Sequence, residues 1–256
     1  MLQSLRKTRG HQSSELLKQQ LLEDGYLFLP GALDPATPVA AHAAVLEICH
    51  RAGLSRARED SRVSSDLARM PVEQRKELVE NCRLAWMATQ AYEAIFQDPS
   101  LRALVAHATG GPIVPHPRRL ARHGRIVLPR TLLRAMAPHQ DIFYLKLPEQ
   151  TFSTWICTAP CAVEDGGLAL VPGSHRAGPL PHRGQRERVT IPRGHAGWHT
   201  ADYQPGDVLL FHSCTIHGPL PNRSLERLRV VVDFRFCRRD LFDPAVLAHP
   251  RFGQFD

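Results

Sequence analysis

The spacing of apolar residues changes character along the chain. Over Ser14–Glu23, Leu16, Leu17 and Leu21 fall on one side of a helical wheel, which predicts a short amphipathic helix. Gly25 stops it, and Tyr26-Leu27-Phe28-Leu29 reads as a strand closed by Pro30-Gly31. The alanine-rich run from Pro35 to Arg51 predicts a second helix, with Gly53 at its end. Residues 53–70 are polar and read as a loop. Pro71 opens a long helix with Leu78, Cys82, Ala85 and Trp86 at helical spacing, running toward Phe96. Ser100–Ala108 reads as a further helix ended by Gly110-Gly111. Beyond Gly110 the chain breaks into short strand-like runs punctuated by Gly and Pro: Ile126–Leu128, Thr131–Ala137, Asp141–Leu147, Thr151–Thr158, Leu168–Val171, Asp207–His212 and Leu228–Phe236. Helices first and strands afterwards predict an α+β protein whose β part is a sandwich or barrel, covered on one face by the helices. The expected organisation is one domain: a disordered leader over 1–11, a mainly helical layer over 12–110, a β core over 111–240 and a tail over 241–256.

Composition narrows this picture only slightly. At 256 residues, 43% hydrophobic and 22% charged, the chain has the make-up of an ordinary globular protein. A net charge of +7 favours anionic partners. The basic residues are spread over Arg6–Arg9, Arg118–Arg134 and Arg223–Arg239, as on a solvated surface. No basic patch is interleaved with aromatics for base stacking, which argues against a nucleic-acid partner. Six cysteines without a Cys-x-x-Cys pair read as reduced, buried thiols of a cytoplasmic protein. Residues 1–20 are too polar for a signal peptide, and no run approaches the roughly 18 apolar residues of a membrane span. Fourteen histidines direct attention to metal ligands.

Three motifs carry candidate chemistry. In His139-Gln140-Asp141, read as a strand, the outer two residues share a face and reach one metal ion while Gln140 points away. The second runs from Gly206-Asp207 through an apolar strand to His217-Gly218, and supplies a histidine from a different strand. His212 is a weaker rival, because it belongs to the strand before the turn. The third, Arg227–Phe236, alternates with period two. Leu228, Val230, Val232, Phe234 and Phe236 fall on one face, and Arg227, Arg229, Val231, Asp233 and Arg235 on the other. A polar face turned into a barrel needs paired charges, so an inward arginine fork calls for a carboxylate. Two imidazoles and one carboxylate make the facial triad of non-haem iron(II) sites, with positions left open. A closed zinc site would need a fourth ligand, and none is evident.

These motifs resemble, in order, those of the phytanoyl-CoA dioxygenase family of iron(II)/2-oxoglutarate oxygenases. The resemblance covers about residues 24–236. It runs through Asp24–Gly31, Pro138–Asp141, Thr154-Trp155-Ile156, Glu164–His175, Gly206-Asp207, His217-Gly218, Pro221–Ser224 and the arginine strand. It implies a double-stranded β-helix (jelly-roll, cupin-like) barrel with N-terminal helices packed on one sheet. The implied iron ligands are His139, Asp141 and His217. Arg227 or Arg229 takes the far carboxylate of 2-oxoglutarate, and counting back from Phe236 favours Arg229. Trp155 either lines the cosubstrate pocket or is a plain core residue. Ser174 and His175 shape a turn. Some relatives hold 2-oxoglutarate with a serine two positions after the distal histidine. Pro219 stands there in this chain, leaving Thr131, Thr215 or a water as substitutes.

The implied reaction consumes O2 and 2-oxoglutarate, releases succinate and CO2, and oxidises a small molecule, with a natural-product intermediate as the favoured kind and an anionic one in keeping with the +7 charge. Retention of Asp141 points to hydroxylation, desaturation or ring formation rather than halogenation. The Gly173–Pro205 segment, rich in Gly, Pro, His and Arg, reads either as a lid over the active site carrying His182, Arg183, Arg186 and Arg193 or as an exposed basic loop. Two other readings stay open: a nucleic-acid-directed oxygenase, and a metal-binding protein of the same fold without turnover.

Overall fold

The computed structural model describes residues 2–116, 121–129, 136–145, 151–182, 189–192, 194–195 and 197–241. The helical half begins with α1 (Ser14–Asp24). Ser13 caps it by accepting from Leu16 N–H, and Gly25 ends it in the left-handed region at φ 77°. A side chain at Gly25 would collide with His175 and Thr215, so glycine is needed there for both space and backbone. α2 (Ala36–Arg51) follows. The expected long helix is two helices, α3 (Val72–Met87) and α4 (Gln90–Gln97). The break falls at Thr89, whose hydroxyl accepts from Tyr92 N–H and so starts a new helix. α5 (Pro99–Thr109) is capped by Asp98 and ends at Gly110.

The strands are β1 (Gln3–Ser4), β2 (Tyr26–Leu29), β3 (Ser55–Ala57), β4 (Asp60–Val63), β5 (Ile113–Pro115), β6 (Arg122–Val127), β7 (Thr151–Cys157), β8 (Leu168–Leu170), β9 (His199–Thr200), β10 (Val208–His212), β11 (His217–Pro219) and β12 (Arg229–Arg238). The larger sheet runs β2-β10-β7-β12-β5, with β6 also on β12, and the smaller runs β1-β9-β8-β11. Side chains alternate through the larger sheet. Leu27, Leu29, Ile156, Val208, Leu210, Val230, Val232, Phe234 and Phe236 pack with the helices in one cluster. Tyr26, Phe28, Trp155, Cys157, Leu209, Phe211 and Val231 face the other way and meet Leu168 and Leu170 of the smaller sheet. Helices therefore cover one face of the larger sheet, as the patterning of β12 predicts, and its opposite face is turned toward the second sheet.

Several expectations give way. Among the described residues the two sheets do not close into a barrel; they pack as the two layers of an open jelly roll. The expected leader is ordered over residues 2–8. β1 pairs in parallel with β9, Leu5 is buried, and Thr8 N–H donates to Phe28 C=O. Its apolar and hydroxyl side chains, too few to show a periodicity, cover a sheet edge. The expected loop at 53–70 holds the β3–β4 hairpin and a 3-10 turn at Ser65–Ala68. Asp141 does not open a strand: it begins the short helix α6 (Asp141–Leu145). The candidate strand Thr131–Ala137 lies largely outside the described residues, as does the tail beyond residue 241. No helix among the described residues is long and apolar enough to cross a membrane. All six cysteines are free and buried.

Candidate metal centre

His139 and His217 are brought together by the backbone. They form an isolated antiparallel bridge in which each N–H donates to the other's C=O at 2.9 Å. Residues directly opposite in such a pair project to the same side, and the two imidazole centroids are 4.4 Å apart. The same-face argument drawn from a continuous strand is thus replaced by a cross-strand one. Asp141 joins them from the first turn of α6. Its Oδ1 lies 3.8 Å from His139 Nε2 and 3.6 Å from His217 Nε2. The ligand atoms of the three residues all fall within 4.8 Å of one another, and all three are buried.

The surroundings prepare the atoms for a metal. His139 Nδ1 is paired with Ala137 C=O at 2.8 Å and His217 Nδ1 with Thr215 C=O at 2.9 Å. A carbonyl accepts, so each Nδ1 carries the proton and each Nε2 presents its lone pair to the centre. Burial, with His217 beside it, pushes the His139 imidazole down to about 3, and burial likewise lowers His217. Both are neutral, as ligands must be. Burial opposes ionisation of Asp141, but Arg235 and the two imidazoles hold its carboxyl well below the usual range.

Gln140 does not point away idly. It is fully buried and donates to Gly178 C=O and Cys214 C=O, while its Oε1 accepts from Leu180 N–H. Its own N–H donates to His182 Nε2 at 2.9 Å. His182 stacks on Phe143 at 4.1 Å. The other expected lid residues, Arg183, Arg186 and Arg193, lie outside the described residues, as does Thr131.

The remaining expected residues separate cleanly. Arg229 is 4% exposed, lines the same cavity as His139 and His217, and has no partner for Nε or Nη1 among the described residues. Burial pulls its guanidinium down to about 10. Arg227 instead pairs with Asp165 at 2.8 Å, with its side chain 57% exposed. Trp155 lines the cavity and packs on Tyr203 at 4.6 Å. Pro219 lines the cavity too. Thr215 faces elsewhere, its hydroxyl donating to Gly25 C=O at 2.8 Å. His212 is outside the triad, with Nδ1 accepting from Cys214 N–H. The Ser174 hydroxyl donates to Val171 C=O and accepts from Ile216 N–H, holding the turn, and His175 pairs with Leu22 C=O.

The cavity with Arg229 measures about 160 Å³ and is walled by Ile126, Trp155, Leu168 and Phe211. A second, of about 270 Å³, meets it at His139, Arg125, Met136 and Arg235, and adds His123, Asp141 and Tyr144. Ser153 and Arg235, which bond to the Asp141 carboxylate, and Asp233, which pairs with Arg235, carried no assigned role in the sequence. Their signal was the inward period-two face of β12 and its register partner on β7, Ser153 opposite Arg235.

Two facing sheets with a two-histidine, one-carboxylate group between them define a jelly-roll protein with a donor set that could hold a metal ion as a facial triad. The chain belongs to the phytanoyl-CoA dioxygenase family, whose profile matches residues 21–230. It is 37% identical over 117 residues to 1-deoxypentalenic acid 11-beta-hydroxylase of Streptomyces arenae, covering 38% of this chain and 39% of that protein. It is 30% identical over 117 residues to a probable phytanoyl-CoA dioxygenase of Caenorhabditis elegans, covering 40% and 36%. The matches thus span under two-fifths of these curated relatives. Among solved structures, the epimerase SnoN in complex with Fe3+, alpha ketoglutarate and nogalamycin RO aligns with TM-score 0.59 and 20% identity over 94% of this chain and 91% of that one. The alpha ketoglutarate dependent carbocyclase SnoK from nogalamycin biosynthesis aligns with TM-score 0.58 and 19% identity over 91% and 87%. At such identities the likeness is one of fold.

Proposed function

We propose that this protein is an iron(II)/2-oxoglutarate-dependent oxygenase that hydroxylates a C–H bond of a small molecule. The observation that carries the reading is the buried, unpartnered Arg229 in the cavity of the triad. A buried guanidinium lacking acceptors is costly, and a bidentate carboxylate is its natural complement. 2-Oxoglutarate has such a group at one end and a chelating 2-oxo acid at the other. The donor set of two neutral imidazoles and one carboxylate suits iron(II) and leaves coordination positions open. His139, Asp141 and His217 would hold the metal, Arg229 the far carboxylate, and Trp155 a wall of the cosubstrate pocket. When bound, iron supplies the activation of O2, coupled to oxidative decarboxylation of 2-oxoglutarate to succinate and CO2. One oxygen atom goes to succinate and the other to the substrate. The chain's own work is placement and dryness: Ile126, Leu168 and Phe211 keep the pocket apolar.

The second cavity, with His123, Met136 and Tyr144, is the place for the substrate beside the metal. The similar 1-deoxypentalenic acid hydroxylase, and the nogalamycin-biosynthesis enzyme that shares the fold, support a natural-product intermediate as that substrate. Residues 1–256 act as one oxygenase domain in this reading, in the cytoplasm, where the six buried thiols stay reduced.

The test is succinate formation by protein purified without oxygen, loaded with iron(II) and 2-oxoglutarate, and then exposed to O2. Asp141→Ala should abolish it. Full activity in that variant would refute the metal assignment. Candidate substrates are then screened by mass spectrometry for the gain of one oxygen atom.

A further inference from the structure

Four alternating charges run through the interior beside the triad. Arg125, on the wall shared by both cavities, donates from Nε and Nη2 to the two oxygens of Asp233 at 2.8 and 3.1 Å. Asp233 lies 2.7 Å from Arg235 Nη2. Arg235 donates from Nε to Asp141 Oδ2 at 3.0 Å and from Nη2 to Asp141 Oδ1 at 3.2 Å. β12 sets Asp233 and Arg235 two apart on one face, and β7 sets Ser153 opposite Arg235. Asp141, Asp233 and Arg235 are all buried. Burial opposes the charge on each. Asp233 is nonetheless held well below the usual carboxyl range by Arg125 and Arg235, and Arg235 is raised by Asp141 and Asp233.

Such a ladder is a poor way to stabilise a fold. Desolvating buried ions often outweighs their attraction, and apolar residues of similar volume commonly do as well. What it does accomplish is to make the two oxygens of Asp141 unlike. Oδ2 accepts from the Ser153 hydroxyl at 2.5 Å and from Arg235 Nε, so its lone pairs are engaged. Oδ1 takes the longer Arg235 Nη2 bond, at 3.2 Å, and is the oxygen turned toward both imidazole Nε2 atoms. A carboxylate free to turn could bind a metal through both oxygens. It would then occupy a fourth of six positions, and a two-point chelate plus O2 need three.

We propose that Arg235, oriented by Asp233 and Arg125 and assisted by Ser153, is a positioning residue that confines Asp141 to one-oxygen ligation of the metal. This rests on the reading of the triad as a metal site. It assigns to a buried ion ladder the task of keeping coordination positions open.

Cobalt(II) is the probe, because its visible absorption reports coordination number and its uptake needs neither O2 nor substrate. The wild-type protein, Asp233→Asn, Arg235→Lys, Arg125→Gln and Ser153→Ala are titrated with cobalt(II), and each metal-free variant is melted by circular dichroism. Residues behind a metal ligand typically contribute 10–100-fold in affinity. Asp233→Asn and Arg235→Lys should therefore lose about that much, with visible absorption weakened as Asp141 turns to bind through both oxygens. Ser153→Ala, which deletes only a hydroxyl, and Arg125→Gln, at the far end, should shift the same way by less. Variants that melt earlier yet keep the wild-type cobalt spectrum and affinity would make the ladder structural and overturn the proposal. Failure of the wild-type protein to bind cobalt would overturn the metal site itself, and the ladder's role with it.

Discussion

Arg229 and Arg235 lie six residues apart on one strand face and meet opposite fates. Arg235 is enclosed by two carboxylates, whereas Arg229 has two guanidinium nitrogens without an acceptor. In the proposed enzyme the second arginine waits for a ligand. Removing it should then have two effects of opposite sign. Arg229→Gln should raise the KM for 2-oxoglutarate by about 100-fold, since an unpaired buried carboxylate costs about 3 kcal/mol. The same change should leave the ligand-free protein as stable as wild type or more so, because an uncompensated charge is gone. Steady-state kinetics and thermal melts read the two effects. An unchanged KM would remove Arg229 from the cosubstrate site.

Between α3 and α4, a single hydroxyl decides where one helix becomes two. Thr89 caps α4, so Thr89→Ala should cost about 1 kcal/mol, read as a lower urea midpoint with an unchanged slope. Phe234 is the larger lever. It is fully buried on β12 and touches Tyr92 and Phe96 of α4, and Phe234→Ala should cost about 3–5 kcal/mol. A loss under 1 kcal/mol would mean that the helices do not depend on this face of the sheet. What the sequence made legible at this scale follows from the same physics. Period-two alternation predicted which face of β12 meets the helices, and Gly25 and Gly110 marked two helix ends. Thr89 inside a helical pattern, or the sheet-forming Gln3–Ser4, carries no periodic signal. Gln3–Ser4 is fixed by His199–Thr200, far along the chain, and Thr89 by a single local cap on Tyr92 N–H that interrupts no apolar repeat. The triad was legible as three residues, but its geometry was not: the partner that aligns His139 is the backbone of His217, and sequence spacing does not encode a cross-strand pair.

Acid should loosen the whole molecule in a defined window. His42, His123 and His212 are each pushed down to about 4 by burial. An unfolded histidine titrates near 6.5. Above that pH both states are neutral and these residues add no slope. As pH falls from about 6.5 to about 4, the unfolded chain binds protons that the folded one refuses, so stability declines across the window. His42, whose Nδ1 meets Thr158 Oγ1 at 2.9 Å and which lines neither of the two cavities at the triad, isolates the effect. His42→Gln should flatten part of that decline in urea midpoints measured across the window. An unaltered profile would show that its burial is not what sets the slope.

The claim on which the rest depends is that one pocket holds iron(II) and 2-oxoglutarate together, the metal on His139, Asp141 and His217 and the far carboxylate on Arg229. The most direct measurement is an anaerobic titration of the iron(II)-loaded protein with 2-oxoglutarate, followed by the visible charge-transfer absorption of the iron(II)–2-oxo acid chelate. The wild-type protein should give a saturable band, Asp141→Ala none, and Arg229→Gln a band that needs about 100-fold more 2-oxoglutarate. A wild-type protein that binds iron(II) yet develops no band at any 2-oxoglutarate concentration would contradict it.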